Sequence, residues 1–310
     1  MKILVTEPEF LSKKRLEELK SLGKVIAKKM DRKSLLKQAR DIDIIFVRID
    51  TAVDKELIDH AKKLKIIATP VTGLNHIDAA YAEEKGIKVI SAPGMNTNTT
   101  AEHAFSLILS LTKKIPFSFE SAKKGEWRRH QYISNELNGK SIGIIGLGRI
   151  GSRIAEFAKA FGMNVYAFDK YVSEKQGSER GAIMVELNEL LRKSDIITIH
   201  CMLTDETRNM FSSREFGMMK DSAMLINASR GEVIDEAALL NALKKEKITG
   251  AALDVLAQEP PKKNSPLIKY AEKHENLIIT PHIAGLSYES IDSAVSYVIA
   301  GIKEAIGASE

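Results

Sequence analysis

Ser141-Ile142-Gly143-Ile144-Ile145-Gly146-Leu147-Gly148-Arg149-Ile150-Gly151 opens as a short apolar run and passes through a glycine-spaced turn into a helical stretch. Each glycine has its own physical use in such a turn. Gly146 permits a tight reversal, Gly148 lets a pyrophosphate approach the backbone, and Gly151 lets the helix lie close against the strand. The unpaired N–H groups that begin the helix, at Arg149 and Ile150, form a ready anion site. Asp169 follows Gly151 by 18 residues and closes the next apolar run, Met163-Asn164-Val165-Tyr166-Ala167-Phe168. A carboxylate at that place can accept hydrogen bonds from the diol of an adenosine ribose. The glycine pattern alone also fits an ordinary glycine-rich turn. With a strand before it, a helix after it and an acid at this spacing, the reading is a dinucleotide-binding unit, with NAD as the expected cofactor.

This turn comes late, with residues 1–140 ahead of it. A separate folded unit is therefore expected in front. There, apolar runs at 2–6, 24–27, 44–48, 64–68 and 88–91 alternate with stretches 11–22, 31–40, 54–60 and 77–85, whose apolar side chains recur at helical spacing. Such alternation implies a parallel sheet with helices on both faces. Residues 100–111 read as a helix leading out of this unit. Residues 113–137, which hold the only tryptophan, Trp127, read as polar and irregular. From residue 141 the rhythm restarts, with strands expected at 141–145, 164–168, 195–200, 223–227, 250–255 and 277–280. A last helical stretch, 287–306, is expected to return to the first unit and make it discontinuous. The expected fold class is α/β, with two doubly wound parallel-sheet domains.

Among the 310 residues, 46 basic and 41 acidic side chains largely interleave, leaving a formal charge of +5. Lys13-Lys14-Arg15, Lys62-Lys63 and Lys244-Lys245 sit on amphipathic stretches and read as solvated faces. No basic block is interleaved with aromatics, so no nucleic-acid partner is expected. The positive balance suits a small anionic substrate instead. No apolar run approaches the roughly 18–20 residues needed to cross a membrane, and the first residues are too short for a signal-peptide core. One cysteine excludes an internal disulfide framework, and the cytoplasm is the expected compartment. That residue, Cys201, follows an apolar run and reads as a buried strand-end thiol. No metal is expected, because His, Cys and acidic residues lack metal-ligand spacing.

Three strand ends downstream of the turn carry unusual side chains. Asn227-Ala228-Ser229-Arg230-Gly231, Asp254-Val255-Leu256-Ala257-Gln258-Glu259-Pro260 and Thr280-Pro281-His282-Ile283-Ala284-Gly285 each follow an apolar run. In a parallel sheet all three fall on the edge that carries the glycine turn, where ligands of such sheets sit. Oxidation of a 2-hydroxy acid needs a group to hold the carboxylate, a base for the hydroxyl proton, and a partner for that base. The planar, permanently charged guanidinium of Arg230 suits the first. His282 suits the second and Glu259 the third. Each also has a structural alternative: a sheet-edge arginine, a loop acid before two prolines, and a satisfied histidine.

Taken in this order, GLGRIG, NASRG, LDVLAQEP and TPHIAG make the chain resemble the D-isomer-specific 2-hydroxyacid dehydrogenases along nearly its whole length. The resemblance implies a Rossmann nucleotide domain inserted in a flavodoxin-like substrate domain. Here these would be residues 99–285 and residues 1–98 with 286–310. It implies catalytic roles for Arg230, Glu259 and His282, a carboxamide anchor at Asp254 and a ribose-binding acid at Asp169. It also implies cofactor contacts at Thr100, Ala228 and Gly285, and a hinge-loop asparagine at Asn96. His103, next to Thr100, reads as structural. Substrate contacts are expected from Arg48 and from the backbone of Gly73, whereas His76 reads as loop packing. Relatives commonly form homodimers through the nucleotide domain, and a homodimer is expected.

The expected reaction moves a hydride between C2 of a D-2-hydroxy acid and NAD, with 3-phosphoglycerate as the first substrate and glyoxylate or hydroxypyruvate as the second. An NAD-sensing corepressor on the same fold is the alternative of a different class. Glu259, where formate-oxidising relatives carry glutamine, argues against formate. Two departures from the family pattern stand out. Met202 replaces a common proline, and Arg48-Ile49-Asp50-Thr51 stands where phosphoglycerate dehydrogenases commonly read Arg-Ser-x-Thr, so that Asp50 would repel a phosphate that Arg48 could still bind.

Overall fold

The computed structural model describes residues 1–307. The chain divides into two compact units, one made of Met1–Asn96 with the described residues from Leu286 onward, the other of Thr97–Gly285.

In the first unit, β1 (Lys2–Val5), β2 (Lys24–Ala27), β3 (Ile44–Phe46), β4 (Ile66–Ala68) and β5 (Lys88–Ile90) form one sheet. Every pairing is parallel and the order is β2-β1-β3-β4-β5, the flavodoxin order. A parallel sheet is covered on both faces, so its inner strands are continuous apolar runs rather than alternating ones. Alternate side chains still separate into two layers. Ile3, Val5, Ile44, Phe46 and Ile66 pack with Leu19 and with Ala294, Val295, Val298, Ile299 and Ile302 of the helix Tyr288–Ala305. Leu4, Ile45 and Ile67 pack with Leu35, Ala39, Leu57, Ile58 and Ala82 on the other side. Ser12, Asp31, Asp54 and Asp78 begin four of the helices, each accepting a first-turn amide through its side chain. Such caps contribute about 1 kcal/mol each.

In the second unit, β6 (Ser141–Ile145), β7 (Asn164–Phe168), β8 (Ile183–Met184), β9 (Ile196–Ile199), β10 (Met224–Asn227), β11 (Gly250–Leu253) and β12 (Leu277–Ile279) form a wholly parallel sheet. Its order is β12-β11-β10-β9-β6-β7-β8. The winding therefore reverses between β6 and β9, and the carboxyl ends there open the crevice that ligands use in such sheets. The glycine turn follows β6 at this point. The helix behind it, Arg149–Ala160, buries Gly151, Ile154, Ala155 and Ala158 along one face. These small residues seat it against Ala101, Ala104, Phe105 and Ile108 of the helix Thr97–Thr112.

Residues 113–137 differ from the irregular segment expected. Ile115–Lys123 is helical, and Arg129–Tyr132 forms a short 3-10 turn. The helix buries only Ser121 and leaves Ile115 and Phe119 exposed, so no apolar stripe marked it in the sequence.

Candidate active site

The turn after β6 has the geometry its glycines require. Gly146 takes φ +91°, and a Cβ on it would lie 2.6 Å from the Cys201 amide nitrogen. A Cβ on Gly151 would lie 2.1 Å from the Gly146 carbonyl oxygen, so helix and turn touch backbone to backbone. Gly148 caps the helix and faces open space, with nothing within 4 Å of such a Cβ. Arg149 and Ile150 are the first two helical residues. Asp169, just past β7, receives the Leu147 N–H on Oδ2 at 2.8 Å and the Tyr171 N–H on Oδ1 at 2.9 Å. Its carboxylate thus sits at the rim of the turn with acceptor capacity left on both oxygens.

Thr100, on the helix Thr97–Thr112, is buried and its Oγ1 has no protein partner. A buried orphan hydroxyl is uncommon and suits a missing polar ligand. The open Gly148 cradle, the helix start and the carboxylate at the turn likewise fit a dinucleotide. Beyond β9, His200 is half-buried, and its loss of solvation lowers the imidazole pKa to about 4 and keeps it neutral. Burial pushes the neighbouring Cys201 thiol up to about 11, too high for a reactive thiolate at neutral pH.

The three strand ends build a connected set. After β10, Ala228 is buried, and Asn227 accepts the Ser229 N–H and donates through Nδ2 to the Arg230 carbonyl at 2.9 Å. Arg230 spends one guanidinium nitrogen on the Ser229 carbonyl, at 2.7 Å. After β11, Glu259 receives the Leu256 N–H on Oε1 at 2.8 Å. Its Oε2 receives the His282 Nδ1–H at 2.5 Å. That bond fixes the tautomer and leaves Nε2 as the ring nitrogen free for other chemistry. The Glu259 hydrogen bond raises the His282 pKa above the ordinary imidazole value, against burial and the positive charge of Arg230, which lower it. Burial raises the Glu259 carboxyl, but the bonds from His282 and Leu256 outweigh it and hold it below its usual range.

Asp254 is the least exposed member, with 0% of its side chain accessible. Its Oδ1 accepts from Thr280 Oγ1 at 2.6 Å and the Ile283 N–H at 3.0 Å, and its Oδ2 from the Ala284 N–H at 2.8 Å. His103 Nε2 lies 3.3 Å from Oδ1 and 3.2 Å from Thr280 Oγ1. The His282 N–H donates to the Asp254 carbonyl at 2.8 Å. Asp254 therefore holds the turn that carries His282, which sits at φ +54°, a left-handed conformation rare outside glycine. Both oxygens of Asp254 are thus engaged in holding this turn, and Oδ2 carries only the one bond from Ala284. Gly285 ends this turn. Thr280, Asn227 and the contact of His103 with Asp254 were not singled out by sequence reading, because nothing periodic links residues 151 positions apart.

In the first unit, Arg48 follows β3 and is buried, with its guanidinium 3.9 Å from the Phe10 ring centroid. Its Nε has no partner. Burial lowers its pKa, opposed by Glu7, Asp50 and Glu9. Glu7 itself accepts the Arg48 and Asp50 N–H groups. Gly73 lies in the loop after β4, where the Thr72 hydroxyl bonds Asn96 Oδ1 at 3.4 Å. His76 bonds Thr69 Oγ1 at 3.3 Å. Among the described residues no cluster of three or more His, Cys, Asp or Glu could hold a metal, and no helix is long and apolar enough to cross a membrane.

Residues 105–284 match the model of the D-isomer specific 2-hydroxyacid dehydrogenase NAD binding domain. The chain belongs to the D-isomer specific 2-hydroxyacid dehydrogenase family. It is similar to D-3-phosphoglycerate dehydrogenase of Archaeoglobus fulgidus, 41% identical over 94% of this chain and 54% of that one. It is also similar to glyoxylate reductase of Thermococcus litoralis, 37% identical over 85% of this chain and 80% of the relative. Among solved structures, D-lactate dehydrogenase from Aquifex aeolicus, complexed with NAD and lactic acid, superposes with a TM-score of 0.86. It is 31% identical and covers 99% of this chain and 96% of its own. The chain spans about half the length of the phosphoglycerate dehydrogenases it matches. Within the family, the second unit is thus the NAD-binding domain.

Proposed function

We propose that this chain interconverts D-2-hydroxy acids and 2-oxo acids with NAD, and that 3-phosphoglycerate and its 2-oxo counterpart are its substrate pair. The observation that carries the reading is the 2.5 Å bond from His282 Nδ1 to Glu259, at strand ends on the same edge of the sheet as the glycine turn. NAD, when bound, accepts a hydride from C2 or returns it. The protein's own part is binding and proton transfer. Arg230 holds the substrate carboxylate with the guanidinium nitrogens not spent on Ser229. His282 Nε2 takes the hydroxyl proton during oxidation and gives it back to the 2-oxo group during reduction. Glu259 orients the ring and stabilises its charged form, while Asp254 keeps the turn in place. Consumption of NADH with 3-phosphohydroxypyruvate, hydroxypyruvate, glyoxylate and pyruvate tests the reading, and failure with all four defeats it.

Asp169 is assigned the ribose diol. Asp169→Ala is expected to weaken NAD binding about tenfold or more, the size of a lost hydrogen bond to a charged group, and to weaken NADP binding less. Fluorescence titration with both cofactors checks this, and an unchanged ratio removes the role.

Arg48 is assigned the substrate phosphate, supported by its buried guanidinium without an ion pair among the described residues. Arg48→Ala is expected to raise KM for 3-phosphohydroxypyruvate about tenfold or more and to leave KM for glyoxylate nearly unmoved. Equal effects on both substrates would favour the second reading, a glyoxylate or hydroxypyruvate reductase. The acids Glu7 and Asp50 near Arg48 are the observation on that side. A homodimer is also proposed, supported by the exposed Ile115, Phe119, Trp127 and Ile133 of the second unit.

A further inference from the structure

The loop that brings Glu259 to His282 is held by the segment that carries Arg230. Gly231 approaches it so closely that an added Cβ would lie 1.9 Å from the Leu256 carbonyl carbon. Five residues on, Glu236 accepts the Ala257 N–H through Oε1 at 2.8 Å. Glu236 is the first residue of the helix Glu236–Lys244, but it does not cap that helix. Asp235 does so, accepting the Ala237 and Ala238 N–H groups. The carboxylate of Glu236 is therefore spent on the loop. Two adjacent amides of the loop end on carboxylates, Leu256 on Glu259 and Ala257 on Glu236.

We propose that Glu236 is a positioning residue, which fixes the register of the loop so that Glu259 keeps one oxygen for Leu256 and the other for His282. The proposal rests on the proposed role of the Glu259–His282 pair. The Ala257–Glu236 bond is exposed, so water replaces it at little cost to folding. What is lost without it is order. Glu259 then spends less time on His282, and the imidazole loses the partner that favours its charged form. The groups acting on His282 are Glu259, Asp254 and Arg230, and Glu236 reaches it only through the loop.

Two substitutions in the full-length chain separate position from charge. Glu236→Gln keeps an acceptor for the Ala257 N–H and removes the charge, whereas Glu236→Ala removes both. The His282 C2–H resonance, assigned by its loss in His282→Asn, is titrated by NMR in each. Glu236→Ala is expected to lower the His282 pKa by about half to one unit, as a weakened carboxylate partner does. It is expected to cut kcat by about ten- to a hundredfold, as misplaced reacting groups do. NADH affinity and melting temperature stay unchanged, and Glu236→Gln matches the wild type in all four readouts. A wild-type His282 titration in Glu236→Ala overturns the proposal. So does an equal shift in both variants, which would make Glu236 a source of field and not a strut. If the wild type reduces no 2-oxo acid while the His282 pKa still falls in Glu236→Ala alone, the positioning role stands and the proposed function falls.

Discussion

Replacing His282 by alanine is expected to lower kcat for 2-oxo acid reduction by about 10²–10⁴, the usual share of a general acid, with the NADH dissociation constant unchanged. The separation follows from placement. In the proposed assignment the cofactor is held by the turn after β6 and by Asp169, whose carboxylate bonds run to Leu147 and Tyr171, whereas the His282 ring bonds Glu259. The pH dependence has a defined sign. The bond to Glu259 raises the His282 pKa, so the ring stays protonated above the ordinary imidazole range. Reduction, which needs the protonated ring, is retained on the acid side and falls as pH rises through the raised pKa. Oxidation, which needs the neutral ring, rises over the same interval. Glu259→Gln should move both limbs to lower pH. Steady-state rates across pH, with NADH binding followed by fluorescence, check these outcomes, and an active His282→Ala enzyme removes the assignment.

Removing the carboxylate of Asp254 is expected to give the largest stability loss in the second unit. Asp254→Ala leaves the Thr280 hydroxyl, the Ile283 and Ala284 amides and His103 without their acceptor in an enclosed site. Each buried donor left unpaired costs about 1–3 kcal/mol. Thr280 and His103 still bond each other, so a total on the order of 3–5 kcal/mol is expected, which corresponds to a melting temperature lower by about 6–20 °C for a domain of this size. Burial pushes the Asp254 carboxyl up, but His103, Thr280, Ala284 and Ile283 together hold it below the usual carboxylate range. Its stabilisation is therefore complete above the unfolded carboxyl pKa of about 3.9 and lost as pH falls through the lower folded value. The gap between wild type and Asp254→Ala should narrow in acid. Calorimetry at neutral pH and near pH 3 reads this, and an unchanged melting temperature at neutral pH would show that the turn holds itself.

The parallel sheets were legible because their strands are buried on both faces. Ile44-Ile45-Phe46 and Met224-Leu225-Ile226 stand out in the sequence as uninterrupted apolar runs. The glycine turn was legible because backbone conformation and close approach leave no other residue at Gly146 and Gly151. The strand β8, only two residues with Ile183 exposed, carries no such signal. The helix Ile115–Lys123 was missed because its apolar residues face outward. At the strand ends the residue types Arg230, Glu259 and His282 could be read, but not the bonds that hold them. Several of those bonds join groups far apart in the chain, as from His282 to Glu259 and from Ala257 to Glu236, and neither spacing nor periodicity encodes them.

The division of the first unit across the chain has a consequence for the order of events at the ribosome. Thr97–Gly285 is contiguous and holds its own sheet and core, so it can close as soon as it has emerged. The first unit cannot, although its five strands are made first. One face of its sheet is covered by Ala294, Val295, Val298, Ile299 and Ile302, which emerge after the whole second unit. Until then Ile3, Val5, Ile44, Phe46 and Ile66 form an apolar surface without its cover. The nascent segment Met1–Asn96 is thus the part most in need of a chaperone's shelter, and a chain halted before residue 290 would be an aggregation hazard rather than a shortened enzyme.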